Sequence, residues 1–128
     1  MRLLLATKLK RVRLLSNFSY LINLSRGVGK VTKAYVLANV KVNDTEGYRV
    51  AYQQHVATLV EKYKGKFLVR GGDKSDLEGS SAFERIIIIE FPSRADAENW
   101  YNCSEYQRLL PEMEKYVDRA LTIVDGVD

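Results

Sequence analysis

The sequence has one cysteine, one histidine and no long apolar run, and each shortage excludes a class of protein. A single thiol, Cys103, can form neither an internal disulfide nor a multi-thiolate zinc site, and it favours a cytoplasmic or other reducing compartment. No spacing of residues typical of a metal site occurs in the chain. No window approaches the roughly 18 apolar residues that a membrane span requires. The 128 residues are enough for one domain.

Acidic residues are absent before Asp44. Residues 1–33 hold eight of the 20 Lys and Arg and none of the 16 Asp and Glu, so residues 34–128, with 12 basic and 16 acidic residues, carry a charge of −4. The net charge of +4 therefore comes from the N-terminal segment. Because a nucleic-acid-binding domain carries its basic patch on the folded surface, this distribution argues against a nucleic-acid partner.

The basic segment 1–32 has three interpretations. It could be a transit-like or surface-seeking amphipathic leader, since Arg-rich, Ser-containing, acid-free leaders share its composition. It could be a helical appendage that packs on the domain. It could also be read through from a start codon set too early, with Val31 as the true initiator. We favour the last, because the regular pattern begins abruptly at Lys33, and we expect the domain to span residues 33–128.

Four consecutive isoleucines, Ile86 to Ile89, indicate an extended strand, because β-branched side chains are stiff at χ1 and pack well on a pleated sheet. Successive side chains of a strand point to opposite faces, so this strand is apolar on both sides. It should therefore lie inside a sheet that is covered on both faces. Pro92 ends it, because proline cannot donate to a strand ladder.

The order of predicted elements is β-α-β-β-α-β. Strands are expected at Lys33–Val42, Lys66–Gly72, Arg85–Phe91 and Arg119–Val124, and helices from Asp44 to about Lys64 and from Ser93 to Leu110. Two βαβ halves joined by a hairpin predict an α+β, ferredoxin-like sandwich, in which a four-stranded antiparallel sheet carries both helices on one face.

Several residues mark the ends of the predicted helices. Asp44 is a good N-cap for the first helix, and Gly65 is its expected C-terminal stop. Ser93 followed by Asp96 resembles a capping box at the start of the second helix. A second box, Ser104 with Gln107, predicts that this helix restarts at Ser104.

The segments KAYVLANVKV, FLVRGG and IIIIEFPS and the run from Trp100 to Tyr106 (WYNCSEY) together resemble domain-of-unknown-function family 1330, of the dimeric α/β-barrel superfamily. The resemblance covers about Lys33 to Val127. It implies a ferredoxin-like fold and a homodimer whose two sheets pack face to face, but no established activity. Haem-degrading members of the wider superfamily use a histidine on the second helix, whereas the one histidine of this chain, His55, falls on the first.

The sheet face opposite the helices, called the open face below, is predicted to be apolar. Strand alternation assigns seven large side chains to it: Tyr35, Leu37, Leu68, Ile86, Ile88, Leu121 and Ile123. Leaving seven such side chains in water forfeits on the order of 10 kcal/mol, which is comparable to the stability of a whole domain. A twofold sheet-on-sheet homodimer is the simplest cover, so the expected partner is a second copy of the chain.

The same alternation places Asn39, Arg70 and Glu90 on the open face, near the strand ends. One interpretation is a cross-strand Arg70–Glu90 ion pair that fixes the register or supports the dimer. The other is a polar end to an apolar barrel, where Arg70 binds an anionic ligand group and Glu90 acts as acid or base. Buried ion pairs add little net stability over apolar replacements, which keeps the second interpretation open.

Tyr35, Asn39, His55, Trp100, Tyr101 and Tyr106 are candidate ligand contacts. A lone histidine on a helix flank is more often a packed or half-exposed side chain than a ligand or base. The aromatic residues of the second helix are more often core anchors than pocket walls. Cys103 has no histidine near it in sequence, which argues against a nucleophilic role.

Two functions from different classes follow. The first is a homodimeric binder of a small organic or anionic ligand, which could act as a cofactor-independent enzyme with Glu90 and Arg70 as catalytic residues. The second is a non-catalytic dimerisation or interaction module. A deep pocket that holds Arg70, Glu90 and a tyrosine would favour the first, and a barrel filled by side chains would favour the second. Asn39, Arg70 and Glu90 occupy positions where apolar residues would suffice, so the sequence favours the ligand-binding function.

Overall fold

The computed structural model describes residues 31–80 and 82–127. Its strands are β1 (Ala34–Val42), β2 (Lys66–Arg70), β3 (Arg85–Phe91) and β4 (Val117–Asp125). Its helices are α1 (Thr45–Tyr48), a π-helical segment (Arg49–Gln53), α2 (Gln54–Lys62), α3 (Arg94–Asn102), α4 (Ser104–Gln107) and α5 (Leu110–Met113). The element order is the one the sequence predicts, with each predicted helix divided into shorter segments.

The four strands form one antiparallel sheet in the order β2-β3-β1-β4. The isoleucine strand β3 lies inside the sheet, between β2 and β1, as predicted. The first and last strands in sequence are neighbours, because each βαβ half crosses over before it pairs. This is the ferredoxin-like α+β sandwich.

β1 shows why the helices cover only one face. Ala34, Val36, Ala38 and Val40 are at most 4% exposed, whereas Tyr35, Leu37 and Asn39 between them are half-buried. The small alanines and valines of the first set let the helices approach the sheet closely, and the second set lines the open face. The alternation predicted for β1 is confirmed.

Three aromatic residues of the helices form the centre of the core. Trp100, Tyr48 and Tyr106 are at most 1% exposed, and Phe91 reaches them from the sheet. The Trp100 and Tyr106 rings lie 4.3 Å apart between centroids, and Phe91 and Trp100 lie 5.5 Å apart. Such tilted aromatic pairs add to the stability that burial alone provides.

The helix starts are capped largely as expected. Asp44 accepts a hydrogen bond from the Gly47 amide at 2.9 Å, and Ser93 Oγ accepts one from the Asp96 amide at 3.1 Å. The second predicted box is wrong. The cap of α4 is Cys103, whose Sγ accepts from the Tyr106 amide at 3.4 Å, and Ser104 is the first helical residue.

The predicted side of Leu121 and Ile123 is also wrong. Leu121 pairs with Ala38 and Ile123 with Val36, so both face the helices. The open face of β4 instead carries Ala120, Thr122 and Val124. Either alternate set of β4 is compatible with a strand, and only the register with β1 decides which set is covered.

The predicted N-terminal extension lies outside the described residues, apart from Val31 and Thr32. That it is not part of the folded domain stays a prediction. Within residues 31–80 and 82–127, no helix combines the length and apolar character that a bilayer crossing requires.

Candidate functional site

A narrow cavity lies between the helices and the sheet. The space in which the centre of a water molecule can move is about 20 Å³, enough for about one water molecule. We call it the helix-side cavity. Its lining comprises Ala38, Tyr48, Tyr52, Gln53, Val56, Phe67, Arg70, Ile87, Ile89, Trp100, Arg119 and Leu121. Aromatic and aliphatic walls with two guanidinium groups are a composition suited to an organic anion.

Arg119 is the central polar residue of this cavity. Val40 faces the helices, and Arg119 is its partner in β4, so the guanidinium projects towards the helices. Its Nη1 donates to the Tyr52 hydroxyl at 3.0 Å and its Nη2 to the Tyr106 hydroxyl at 2.8 Å. The two hydroxyls are themselves 2.7 Å apart. We call Tyr52, Tyr106 and Arg119 the tyrosine–arginine cluster.

Tyr52 lies in the π-helical segment Arg49–Gln53. Its ring stacks on Tyr48 with centroids 5.5 Å apart and an interplanar angle of 9°. It meets Tyr106 edge-on at 5.9 Å. Short π-helical segments inside α-helices occur frequently at functional sites. In the sequence, an apolar stripe at spacings of three and four predicts that Tyr52 is a core residue, but nothing in the stripe signals the π-turn. Its members are Tyr48, Tyr52, Val56, Leu59 and Tyr63.

Burial sets the ionisation of the cluster. It raises the pKa of Tyr106 well above the usual value, with a further rise from Tyr52 that the Arg119 charge only partly offsets. Burial also disfavours a charge on Arg119, but Tyr106 and Tyr52 outweigh it, so the pKa of Arg119 is raised. A buried protonated phenol therefore lies next to a permanent cation.

Two more arginines approach the same end of the helix-side face. Arg85 in β3 pairs with Val40 of β1, on the edge of β1 opposite to the one that Arg119 occupies. Arg70 lies in β2, the next strand outward, and pairs with Ile87 of β3. Burial raises the pKa of Tyr48, whereas Arg119, Arg85 and Arg70 each lower it, so all three charges act at this phenol. We call these three residues the arginine cluster. In the described part of the chain, no ion pair engages any of them.

Arg70 and Arg85 are held in place without carboxylates. The Arg70 guanidinium lies over the Phe67 ring, 4.2 Å from its centroid, and Arg70 remains exposed at the cavity mouth. The Arg85 guanidinium lies against Gly71, where a side chain would collide with it. Gly71 also has a φ of +70°, a conformation that favours glycine.

The predicted Arg70–Glu90 ion pair does not form. A β-bulge between Phe67 and Val69 inserts an extra residue into β2, which reverses the alternation beyond it and turns Arg70 to the helix side. Glu90 stays on the open face, opposite Tyr35, and its carboxylate lies 3.2 Å from Lys33 Nζ. Arg70 and Glu90 thus lie on opposite faces of the sheet and cannot contact one ligand from within one chain.

The remaining predicted site residues are dispersed. Asn39 and Tyr35 lie on the open face, away from the helix-side cavity. His55 is exposed, with Nε2 at 3.1 Å from the Val50 carbonyl oxygen. Only Trp100 and Tyr106 lie at the helix-side cavity or in contact with it. Tyr52, Arg85 and Arg119 are not among the residues that the sequence predicts for the site.

A second, more open groove of about 320 Å³ runs between α3 and β4. It is lined by Arg94, Glu98, Tyr101, Asn102, Leu121 and Ile123. Arg94 already bonds Asp125 at 2.8 Å and Glu98 at 3.4 Å, so its charge is compensated within the chain. This groove is a weaker anion site than the helix-side cavity.

The described residues contain no group of three or more His, Cys, Asp or Glu side chains that could hold a metal ion. Cys103 is half-buried and caps α4 through its sulfur. The cavity is lined by neutral and cationic side chains, which suit an anionic oxygen rather than a metal cation.

The family model described as Domain of unknown function (DUF1330) matches residues 33–127. No curated protein matches the sequence. A protein of unknown function from Rhodopseudomonas palustris has a similar structure, with a TM-score of 0.62 and 18% identity over 77% of this chain and 85% of that one. A protein from Caulobacter crescentus CB15, provisionally described as an antibiotic biosynthesis monooxygenase, gives a TM-score of 0.54 and 14% identity over 77% and 92%. These likenesses confirm the fold.

Proposed function

The chain belongs to the DUF1330 family, and we propose that it binds a small organic anion at the helix-side cavity. One observation carries the proposal. Arg70, Arg85 and Arg119 converge on one end of the helix-side face, and no ion pair of the described residues neutralises them. Half-buried charges such as those of Arg85 and Arg119 are ordinarily paired, so their lack of a carboxylate partner favours an external anion.

Arginine suits this role better than lysine would. Its planar guanidinium binds a carboxylate through two parallel hydrogen bonds and also stacks on aromatic rings. Arg70 has both features, because it lies over Phe67 and is exposed at the mouth of the cavity. Arg119 lies deeper and is held by Tyr52 and Tyr106. A ligand entering from solvent would meet Arg70 first and Arg119 second.

The size of the cavity limits the ligand. Room for about one water molecule admits one oxygen of an acidic head group, so the remainder of the ligand would lie towards the mouth, near Arg70 and Phe67. The proposed activity is binding. The sequence-based role of Glu90 as acid or base is not part of it, because Glu90 lies on the opposite face of the sheet.

We also propose that the working unit is a homodimer formed through the open face, in a reducing compartment such as the cytoplasm. After the corrections to β2 and β4, the large apolar side chains of that face are Tyr35, Leu37, Leu68, Val69, Ile86, Ile88 and Val124. Leu68, Val69 and Val124 are at least 37% exposed in the single chain. Covering this set yields on the order of 10 kcal/mol, and a second copy supplies a matching surface.

The alternative function is a non-catalytic dimerisation module. The apolar open face favours it, since dimerisation alone would account for that surface. It gives no reason for three arginines around a lined cavity on the other side of the sheet. Ligand binding therefore remains the better proposal, with the dimer as its scaffold.

The test is a thermal-shift screen of the full chain against small carboxylates and phenols. Wild type should be stabilised by at least one anion. Arg70→Gln and Arg85→Gln should reduce that shift, and Arg70→Lys should restore part of it. Arg108→Gln is the matched control, because it removes an exposed arginine that donates to Ser104 Oγ and does not line the helix-side cavity. If no anion stabilises wild type, or if the control loses as much as the cluster variants, the proposal is wrong.

A further inference from the structure

The hydrogen atoms of the tyrosine–arginine cluster do not all find acceptors. Each phenol carries one O–H donor and two lone pairs, and Arg119 only donates. Tyr52 and Tyr106 share one hydrogen bond, so one hydroxyl donates and the other accepts. Since Arg119 donates to both oxygens, the accepting phenol keeps a hydrogen that must point elsewhere.

Burial decides which phenol keeps the free hydrogen. Tyr106 is fully buried and has no further acceptor among the described residues, so directing its hydrogen away from Tyr52 would leave a buried donor unpaired. Tyr52 lines the helix-side cavity. The arrangement of lower energy therefore has Tyr106 donating to Tyr52, with the Tyr52 hydrogen directed into the cavity.

A residue that lines the cavity carries a second buried donor without an acceptor. Trp100 is fully buried and lines the cavity, and its Nε1 has no hydrogen-bond partner within the described part of the chain. An indole N–H is a donor only, so it needs a hydrogen-bond acceptor as its partner. Buried polar groups without partners are rare in folded proteins, and each one needs an explanation.

A water molecule is a poor occupant between these donors. It could accept from Tyr52 and Trp100, but its own two hydrogens would then need acceptors. Of the polar lining side chains, Gln53 offers an amide oxygen, whereas the guanidinium groups of Arg119 and Arg70 are donors as well. An anionic oxygen accepts several hydrogen bonds and has no hydrogen to place. It also compensates the arginine charges.

We propose that the Tyr52 hydroxyl and the Trp100 indole N–H together bind one oxygen of a carboxylate ligand, whose second oxygen faces the arginine cluster. This inference rests on the proposed function and adds the two neutral donors and the ligand class. A carboxylate fits because its two oxygens can serve the neutral donors and the guanidinium groups at once.

The chain contains one tryptophan, so the full-length ¹⁵N-labelled protein gives one indole N–H signal that reports on Trp100 directly. We expect acetate and benzoate to move this signal downfield in a saturable way, and phenol to move it far less. Tyr52→Phe should weaken carboxylate binding roughly tenfold, as expected for one lost hydrogen bond to a charged group. Tyr116→Phe, which removes a phenol that donates to Glu112, should bind as wild type does.

The outcomes separate this inference from the proposed function. If calorimetry detects no carboxylate binding, both are wrong. If carboxylates bind and Arg70→Gln weakens them, but the indole signal stays still and Tyr52→Phe binds normally, only the two-donor inference is overturned. A dispersed spectrum of unliganded Tyr52→Phe establishes that it folds. Should it not fold, the wild-type indole shift decides, because the inference requires that signal to move.

Discussion

Tyr52 and Tyr106 share a 2.7 Å hydrogen bond between their hydroxyls, although 54 residues separate them. Arg119 donates to both oxygens, so the π-helical segment, α4 and β4 meet at one buried polar point. A fully apolar core would hold these elements together as well. The polar cluster adds a fixed geometry and a permanent charge beside a cavity, and the following expectations depend on it.

Replacing Arg119 should destabilise the fold. Arg119→Met keeps much of the aliphatic stem but removes the donors to Tyr52 and Tyr106. Hydrogen bonds to charged groups contribute about 1.5–3 kcal/mol each, and the relief of a desolvated charge offsets part of that, so we expect a net loss of about 2 kcal/mol. Urea unfolding measures it. Arg108→Met on the surface should stay within about 0.5 kcal/mol of wild type, and an unchanged Arg119→Met midpoint would refute the structural role of the cluster.

Alkaline pH should destabilise the protein through buried phenols. Burial raises the pKa of Tyr106 and Tyr48 above that of an unfolded tyrosine, about 10. Above that pH the unfolded chain releases protons that the folded chain retains, so the free energy of unfolding falls as pH rises from about 10 towards the folded pKa values. Below about pH 10, the contribution of the protonated Tyr106 and Tyr48 phenols to the free energy of unfolding is fully present.

Urea midpoints at several pH values on either side of 10 measure the effect. Tyr106→Phe should start less stable near neutral pH but lose less stability than wild type on alkalinisation. Tyr116→Phe provides the control. If the urea midpoints of wild type and Tyr106→Phe fall equally with pH above about 10, Tyr106 does not retain its proton in the folded state.

In the turn after α2, substitutions at two neighbouring residues should change stability in opposite directions. Lys64 has a φ of +68°, where a side chain is strained, whereas an added Cβ at Gly65 would lie 2.6 Å from the Phe91 ring and 2.7 Å from Val60. We expect Lys64→Gly to be neutral or stabilising by up to about 1 kcal/mol, and Gly65→Ala to destabilise by about 1–3 kcal/mol. Thermal unfolding of both variants tests the pair, and the reverse order would contradict this geometry.

A charge at the centre of the open face should dissociate the proposed dimer. Ile88 pairs with Leu37 there, so Ile88→Asp would bury a carboxylate without a partner in a sheet-on-sheet interface. Sedimentation at low micromolar concentration should give a dimer for wild type and a monomer for Ile88→Asp. Leu77→Asp, at a residue 92% exposed in the β2–β3 loop, is the matched control and should remain dimeric. A folded wild-type monomer would overturn the assembly.

The sequence predicts the fold well because its strong signals are local. The isoleucine run, the alternation of β1 and the caps at Asp44 and Ser93 each act within a few residues, and the structure confirms them. The stripe containing Tyr52 correctly predicts a core residue. Its hydroxyl chemistry depends on Arg119, which approaches only after β4 pairs with β1.

The sequence does not predict the site where the face of the sheet that a side chain occupies depends on the register between strands. One extra residue in the β2 bulge moves Arg70 to the opposite face from Glu90, and no turn residue or proline in FLVR marks the bulge. In β4, Leu121 and Ile123 fit either face until the pairing with β1 is known. Arg85 and Arg119 look like ordinary strand-end charges in sequence, because their convergence on Tyr48 is a property of the assembled sheet.

The most direct test of the anion site is a crystal structure of the protein grown with 4-bromobenzoate, located by the anomalous scattering of bromine. We expect the carboxylate in the helix-side cavity, with one oxygen in hydrogen-bond contact with Tyr52 Oη and Trp100 Nε1, and the bromine outside the mouth near Arg70. An empty helix-side cavity at saturating ligand, or a ligand bound on the open face instead, would contradict the account.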